Sequence, residues 1–117
     1  MSRRTQRVAD VLRGELAELL LRQVHDPRIK LVSVTDVDVS PDLRRAVVKV
    51  SVLGADEERT GAVEALQHAR GFLRRELAHR LRLRVTPELI FELDRGAEHS
   101  QKITELLESL HARDESS

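Results

Sequence analysis

The feature that most constrains the fold is a stripe of small and apolar residues at helical spacing in the middle of the chain. Its members are Ala62, Leu66, Ala69, Leu73, Leu77 and Leu81. Such spacing is typical of a helix with one buried face. One unbroken helix would be about 30 Å long, close to the span of a small domain, and Gly71 at its middle would cost about 1 kcal/mol relative to alanine. We therefore predict a bend at Gly71 that divides 61–81 into two shorter helices.

Strand-like and helical patterns flank this stripe on both sides. Apolar periodicity predicts a first helix over 5–24 and a last helix over 98–112. Alternating, β-branched stretches predict strands over 29–39, 45–52 and 83–93. The element order is α-β-β-α-α-β-α, in which the first two strands form an antiparallel hairpin and the helical crossover returns the third strand parallel. The predicted fold class is α+β, a two-layer sandwich of a three-stranded mixed sheet with helices on one face.

Local signals mark irregular positions in this plan. The apolar alternation of the first strand changes face near Asp36, which predicts a β-bulge. Pro87 falls inside the third predicted strand, and because proline cannot donate to a ladder, that strand should lie at a sheet edge. Gly54 to Thr60 is predicted to be a polar loop.

Length and composition bound the class of protein. With 117 residues and no cysteine, we expect a single domain over 1–112 and a short acidic, disordered end over 113–117. Disulfides and thiolate metal sites are excluded. The chain has no apolar run near the ~20 residues of a membrane span, and no apolar signal core follows Arg3 and Arg4. The expected location is the cytoplasm.

Charge is segregated along a chain whose net charge is zero. Residues 1–87 hold 17 basic and 12 acidic side chains, a net of +5, whereas residues 88–117 hold 3 and 8, a net of −5. Of the 20 basic residues, 17 are arginine, whose planar fork suits phosphate. A GC-rich coding bias also explains the arginine excess, but it does not explain the segregation, which favours a polyanionic partner.

The sharpest basic cluster follows Gly71. From Arg70 to Arg84 there are six arginines and one acid, Glu76. A bend at Gly71 would free backbone N–H groups beside these arginines and form an anion site, and Ala69 adds little bulk there. An ordinary solvated basic face is the alternative. The predicted RNA-binding residues are Arg3, Arg4, Arg7, Arg28, Lys30, Arg45, Ala69, Arg70, Gly71, Arg74, Arg75, Arg80, Arg82 and Arg84.

Other functions have weaker support in the residues. The five histidines are scattered without metal-ligand spacing, and no nucleophile motif or phosphate loop occurs, so neither catalysis nor a cofactor is predicted. A DNA-binding helix-turn-helix over 62–82 and a protein-interaction module using the last helix remain as alternatives. The only aromatic residues are Phe72 and Phe91. We expect Phe72 to lie in the core, so RNA would be held mainly through phosphates.

A series of segments in order resembles one known family. The segments are Arg4-x-x-Arg7-Val8-Ala9-x-x-Leu12, His25-Asp26-Pro27-Arg28, Val39-Ser40-Pro41-Asp42-Leu43, Ala69-Arg70-Gly71-Phe72-Leu73-Arg74 and Leu81-Arg82-Leu83-Arg84-x-x-Pro87-Glu88-Leu89. Together they resemble the ribosome-binding factor A family over roughly residues 4–110. That family has a type II KH-like fold in which Ala-x-Gly replaces the Gly-x-x-Gly loop that grips a nucleic-acid backbone in KH domains.

The resemblance implies a function as well as a fold. It implies a non-enzymatic ribosome assembly factor that binds the immature small ribosomal subunit and its rRNA. Such a factor assists late maturation and 5′-end processing of the rRNA and is associated with growth in the cold. We expect it to be a monomer when free, with no membrane partner.

Overall fold

A computed structural model describes residues 3–94 of the chain. Its elements are helix α1 (Arg3–Arg22), a 3-10 turn (Pro27–Ile29), strands β1 (Val32–Val39) and β2 (Arg45–Val52), helix α2 (Asp56–Leu81) and strand β3 (Glu88–Leu93). The predicted last helix over 98–112 and the acidic end over 113–117 lie outside the described residues. Within 3–94, no helix is both long and apolar enough to cross a membrane.

The sheet has the predicted topology. Its strand order is β1-β2-β3, with β1 antiparallel to β2 and β3 parallel to β2. β3 is an edge strand, as Pro87 indicated, but it begins only after that proline. The prediction that the third strand starts at Leu83 was therefore wrong. Because Pro87 has no N–H group to donate to a neighbouring strand, the pairing begins only after it. Val85, before the proline, is half exposed.

The predicted bulge in β1 is confirmed. The pairing register with β2 shifts between Val34 and Asp36. The Thr35 hydroxyl lies 2.6 Å from an Asp94 carboxylate oxygen, to which it donates, and 3.2 Å from the Lys49 carbonyl oxygen. Because Asp94 follows β3, this hydrogen bond spans β2 and joins the two edge strands.

The core lies between one face of the sheet and the two helices. Burial alternates along β2, where every second residue from Ala46 to Val52 is buried. The largest fully buried side chains include Leu12, Leu16 and Leu19 of α1, Leu66, Leu73 and Leu77 of α2, and Leu89 of β3. Helices and strands thus form two layers around one core, and the predicted α+β fold class is confirmed.

Helix α2 differs from its prediction at both its start and its middle. It begins at Asp56, inside the predicted polar loop, and runs without division to Leu81. Three acids in its first turn, Asp56, Glu57 and Glu58, favour this early start because they interact with the positive end of the helix dipole. The prediction of two shorter helices meeting at Gly71 was wrong, because α2 has no second helix start there.

The apolar stripe explains why α2 continues through Gly71. Leu66 and Leu73, on either side of the glycine, are both fully buried. Apolar residues therefore lie on the same side of the helix before and after Gly71. At 26 residues the helix is about 39 Å long, whereas an eight-residue strand spans about 26 Å. One helix therefore continues through Gly71, and it is longer than the strands on which it packs.

Replacing Gly71 with alanine should stabilise the protein. A Cβ atom at Gly71 would meet only the Arg75 guanidinium, at 3.8 Å, so alanine fits and should raise the free energy of unfolding by roughly 0.5–1 kcal/mol through its helix propensity. RNA affinity should not change, because no freed backbone group is present to be blocked. Urea denaturation and RNA titration of the same variant measure both quantities.

Gly14→Ala in α1 is the matched control, since Gly14 has nothing within 4 Å of its added Cβ atom. Equal stabilisation by the two variants is expected. A loss of stability confined to Gly71→Ala would contradict the uninterrupted helix.

Candidate RNA interface

The C-terminal half of α2 presents the main group of exposed arginines. Arg70 and Arg75 are exposed, whereas Leu73 and Leu77 between and beyond them are fully buried. Within residues 3–94, no carboxylate lies at ion-pairing distance from either guanidinium group. One Arg75 guanidinium nitrogen lies 3.8 Å from the position of a Gly71 Cβ atom, so this side chain runs back along the bare surface of the glycine. Both cations are available to an anion in solution.

Arg74 has a structural contact of its own. Its Nε and Nη2 atoms donate to the carbonyl oxygen of Thr86 at 3.3 and 3.1 Å. This tie fixes the loop between α2 and β3 against the helix. A guanidinium has five N–H donors, so three remain for a phosphate.

Arg80 is held by a distant carboxylate. Its Nη1 lies 3.3 Å from Glu15 Oε2 of α1, and both side chains are about 30% exposed. Farther back along α2, Phe72 lines the same groove as Val24, two residues after the end of α1. Later residues of α2 thus meet earlier residues of α1, and the two helices are antiparallel. Arg80 links the helices, and a role in RNA binding stays a prediction.

This antiparallel packing brings two predicted groups to the same end of the molecule. Arg82 ends α2 in the left-handed conformation, with φ 46°, which costs a non-glycine residue roughly 1 kcal/mol. Arg84 follows in the exposed loop. The first turns of α1 extend beyond Glu15 in the same direction, and their three arginines, Arg3, Arg4 and Arg7, are exposed. The helix layer therefore has a basic end in addition to its basic α2 face.

Arg28 lies in a local ion pair. Its Nη2 is 2.8 Å from Asp26 Oδ2, and its Nε and backbone N–H both donate to Asp26 Oδ1, at 3.1 and 3.0 Å. Hydrogen bonds from Arg28 lower the pKa of Asp26 below its ordinary value, and the Asp26 carboxylate raises the pKa of Arg28. Asp26 also caps the 3-10 turn. Arg28 accordingly stabilises the turn, and the Asp26 carboxylate offsets most of its charge.

Arg45 lies on a different face from the α2 arginines. It pairs in register with Glu88 on the sheet face opposite the helices, because its neighbour Ala46 is buried against them. The same face also carries Lys49 and four acidic residues. The acids are Asp36, Asp38, Glu88 and Glu92. The far face is therefore acidic, Arg45 does not join the basic surface of α2, and a role for it in RNA binding stays a prediction.

A groove beside α2 was not predicted. It has a volume of about 530 Å³ and lies between the end of α1, the 3-10 turn and α2. Its lining consists of Gln23, Val24, His25, Asp26, Pro27, Ala69 and Phe72. Phe72 packs against the core, as expected, but it is only half-buried. A second groove of about 670 Å³ shares four of these residues and continues past Lys30, which is exposed.

Two alternative predictions can be compared with this geometry. The alternative prediction of a helix-turn-helix over 62–82 was wrong, since these residues contain no turn before Arg82. Among residues 3–94, no group of three or more histidine and acidic side chains is arranged to hold a metal ion. The alternative of an interaction module built on the last helix falls outside the described residues.

Comparisons with known proteins agree with this architecture. The family model of ribosome-binding factor A matches residues 4–107. Ribosome-binding factor A of Thermomicrobium roseum is 48% identical over 98% of this chain and 92% of its own length. That of Caldanaerobacter subterraneus subsp. tengcongensis is 42% identical over 97% of this chain and 94% of its own.

Solved structures match as well. The crystal structure of ribosome-binding factor A from Thermus thermophilus has a TM-score of 0.71 and 33% identity, covering 78% of this chain and 96% of that one. A homology model of the Thermus thermophilus factor, fitted into a cryo-electron-microscopy map of a complex with the 30S subunit, has a TM-score of 0.63 and 34% identity over 74% of this chain and 91% of its own. With the family model spanning most of its length, this chain belongs to the ribosome-binding factor A family.

Proposed function

We propose that this protein binds the immature small ribosomal subunit through its rRNA and assists late maturation, including processing of the 5′ end. The observation that carries the proposal is the pair of exposed guanidinium groups on α2, Arg70 and Arg75, for which residues 3–94 provide no carboxylate. The fitted Thermus thermophilus complex with the 30S subunit supports the same partner for a relative with the same fold.

The distribution of charge orients the protein on RNA. The helix layer carries the exposed arginines, whereas the far face of the sheet carries Asp36, Asp38, Glu88 and Glu92. Phosphates are attracted to the first surface and repelled by the second. We therefore expect the helix layer to face the rRNA and the sheet to face outward.

The action that we assign is binding rather than bond chemistry, and we place it in the cytoplasm, where small subunits are assembled. A protein that holds phosphates from one rigid face favours the RNA conformations that match that face. Holding the rRNA in an immature conformation until processing is complete requires no catalytic group.

Sedimentation tests the proposal directly. The protein should move with free immature small subunits and should move less with mature subunits or assembled ribosomes, because the target is an assembly intermediate. Equal association with all three particles, or with none, would contradict the function.

The strength of binding should depend steeply on salt. If about five phosphates contact Arg70, Arg74, Arg75, Arg82 and Arg84, a plot of log K against log salt should have a slope of roughly −3.5 to −4.5. Filter binding or fluorescence anisotropy with an rRNA fragment measures this slope. A slope near zero would mean that phosphates are not the main contact.

A further inference from the structure

The position of Phe72 suggests that phosphates are not the whole contact. The chain contains two phenylalanines and no tyrosine or tryptophan, and Phe91 is buried in the core. Phe72 alone among them is half-buried, and it lines the groove between α1 and α2. It is therefore the one aromatic side chain of this protein with a surface that a nucleobase could contact.

The groove suits a single unstacked base. It has a volume of about 530 Å³ and is wide open to solvent, so a flat ring can lie against it without being enclosed. Phe72, Val24, Pro27 and Ala69 provide an apolar lining, and the exposed side chains of Gln23 and His25 provide polar groups at the rim. Aromatic contact together with hydrogen bonding at base edges is the usual way in which proteins hold single-stranded RNA.

Cations lie at both ends of the path that an RNA strand would follow. Arg75 is three residues after Phe72 on α2, which places it one turn away, and its guanidinium has no carboxylate partner within residues 3–94. At the other end, the adjoining groove leads to the exposed Lys30. The acid between them, Asp26, is neutralised by Arg28 at 2.8 Å. Phosphates on either side of the base thus meet cations.

We propose that the groove between α1 and α2 binds one unstacked nucleobase of single-stranded rRNA, which contacts Phe72 while its flanking phosphates bind Arg75 and Lys30. This inference rests on the proposed function and adds the form of RNA that is recognised, a single strand with an accessible base. It also gives Ala69 a role, since a larger side chain there would fill the groove.

Phe72→Leu provides the test, because leucine keeps most of the packing volume and removes the ring. The probes are a short oligouridylate, an abasic oligomer of the same length and an RNA duplex of the same length. We expect the variant to bind oligouridylate about fivefold more weakly than the wild type or worse, as for loss of one stacked base. Its affinity for the abasic oligomer and the duplex should be unchanged. Its salt slope should also be unchanged, because the number of neutralised phosphates is the same.

Two comparisons make the outcome decisive. Ile90→Leu, at a half-buried apolar position on the far sheet face, should leave all three affinities unchanged. The wild type should prefer oligouridylate to the abasic oligomer, a result that does not depend on how any variant folds. Equal wild-type affinity for these two probes, or full affinity of Phe72→Leu for oligouridylate, would overturn the base site while leaving subunit binding intact. Failure of the wild type to bind any RNA or subunit would instead overturn the proposed function.

Discussion

The double replacement of Arg70 and Arg75 by glutamate should reduce affinity for rRNA and for immature small subunits by about 100-fold. Each arginine is expected to make a charge-assisted hydrogen bond to phosphate, worth roughly 1.5 kcal/mol or more, and 1.4 kcal/mol corresponds to about tenfold in affinity. The salt slope should also become shallower by about 1.4, because two phosphate contacts are lost. Titration at several salt concentrations measures both effects.

The choice of these two arginines follows from the structure. Arg74 lies in the same half of α2, but its guanidinium donates to the Thr86 carbonyl oxygen. Its replacement would therefore alter the loop between α2 and β3 as well as the charge. Arg70 and Arg75 are exposed, and surface changes usually alter the free energy of unfolding by no more than about 0.5 kcal/mol. A large fall in melting temperature would show that these residues support the fold.

A matched control is available at the start of β2. Arg44 and Arg45 are adjacent and exposed, and their replacement by glutamate changes the net charge by the same amount. Because Arg45 lies on the acidic face beside Glu88, this control should lose much less affinity than the α2 variant. Equal losses in the two variants would mean that total charge, and not the helix face, determines binding.

The Leu16→Ala variant should have the largest effect on stability. Leu16 of α1 is fully buried in the core. Replacing a buried leucine with alanine costs about 2–5 kcal/mol through lost transfer free energy and the cavity that remains. This is a large part of the roughly 5–15 kcal/mol by which domains are stable. Chemical denaturation should show the loss directly, and RNA affinity should fall only in proportion to the unfolded fraction.

The same substitution at Leu21 is the control, because it lies in the same helix with 81% exposure. Leu21→Ala should change the free energy of unfolding by no more than about 0.5 kcal/mol. If both variants were equally destabilised, the side of α1 that packs on the sheet would be wrongly assigned.

Local periodicity in the sequence was sufficient to predict the main elements of the fold. The alternation in β2 and the stripe on α2 each place apolar side chains on one face, and that pattern depends only on residue spacing. The reversal of face near Asp36 predicted the bulge for the same reason, since an extra residue shifts the phase of the strand. The parallel return of β3 followed from the length of the crossover.

Positions where two local preferences compete could not be decided from the sequence. Gly71 favours a break in a helix, whereas the stripe from Leu66 to Leu77 favours continuity. Packing against the sheet stabilises the buried face by far more than the roughly 1 kcal/mol that one glycine costs. The uninterrupted helix therefore prevails, and the predicted anion site at a second helix start is absent.

The partners of individual charges were decided by the tertiary structure alone. The sequence places six arginines from Arg70 to Arg84. It does not indicate that Arg80 reaches Glu15, 65 positions earlier, or that Arg45 lies among acids from two other strands. Spacing along a chain determines which way a side chain faces within its own element. Whether that side chain is then paired, buried or left exposed depends on which other element the fold brings against it, as the half-buried ring of Phe72 illustrates.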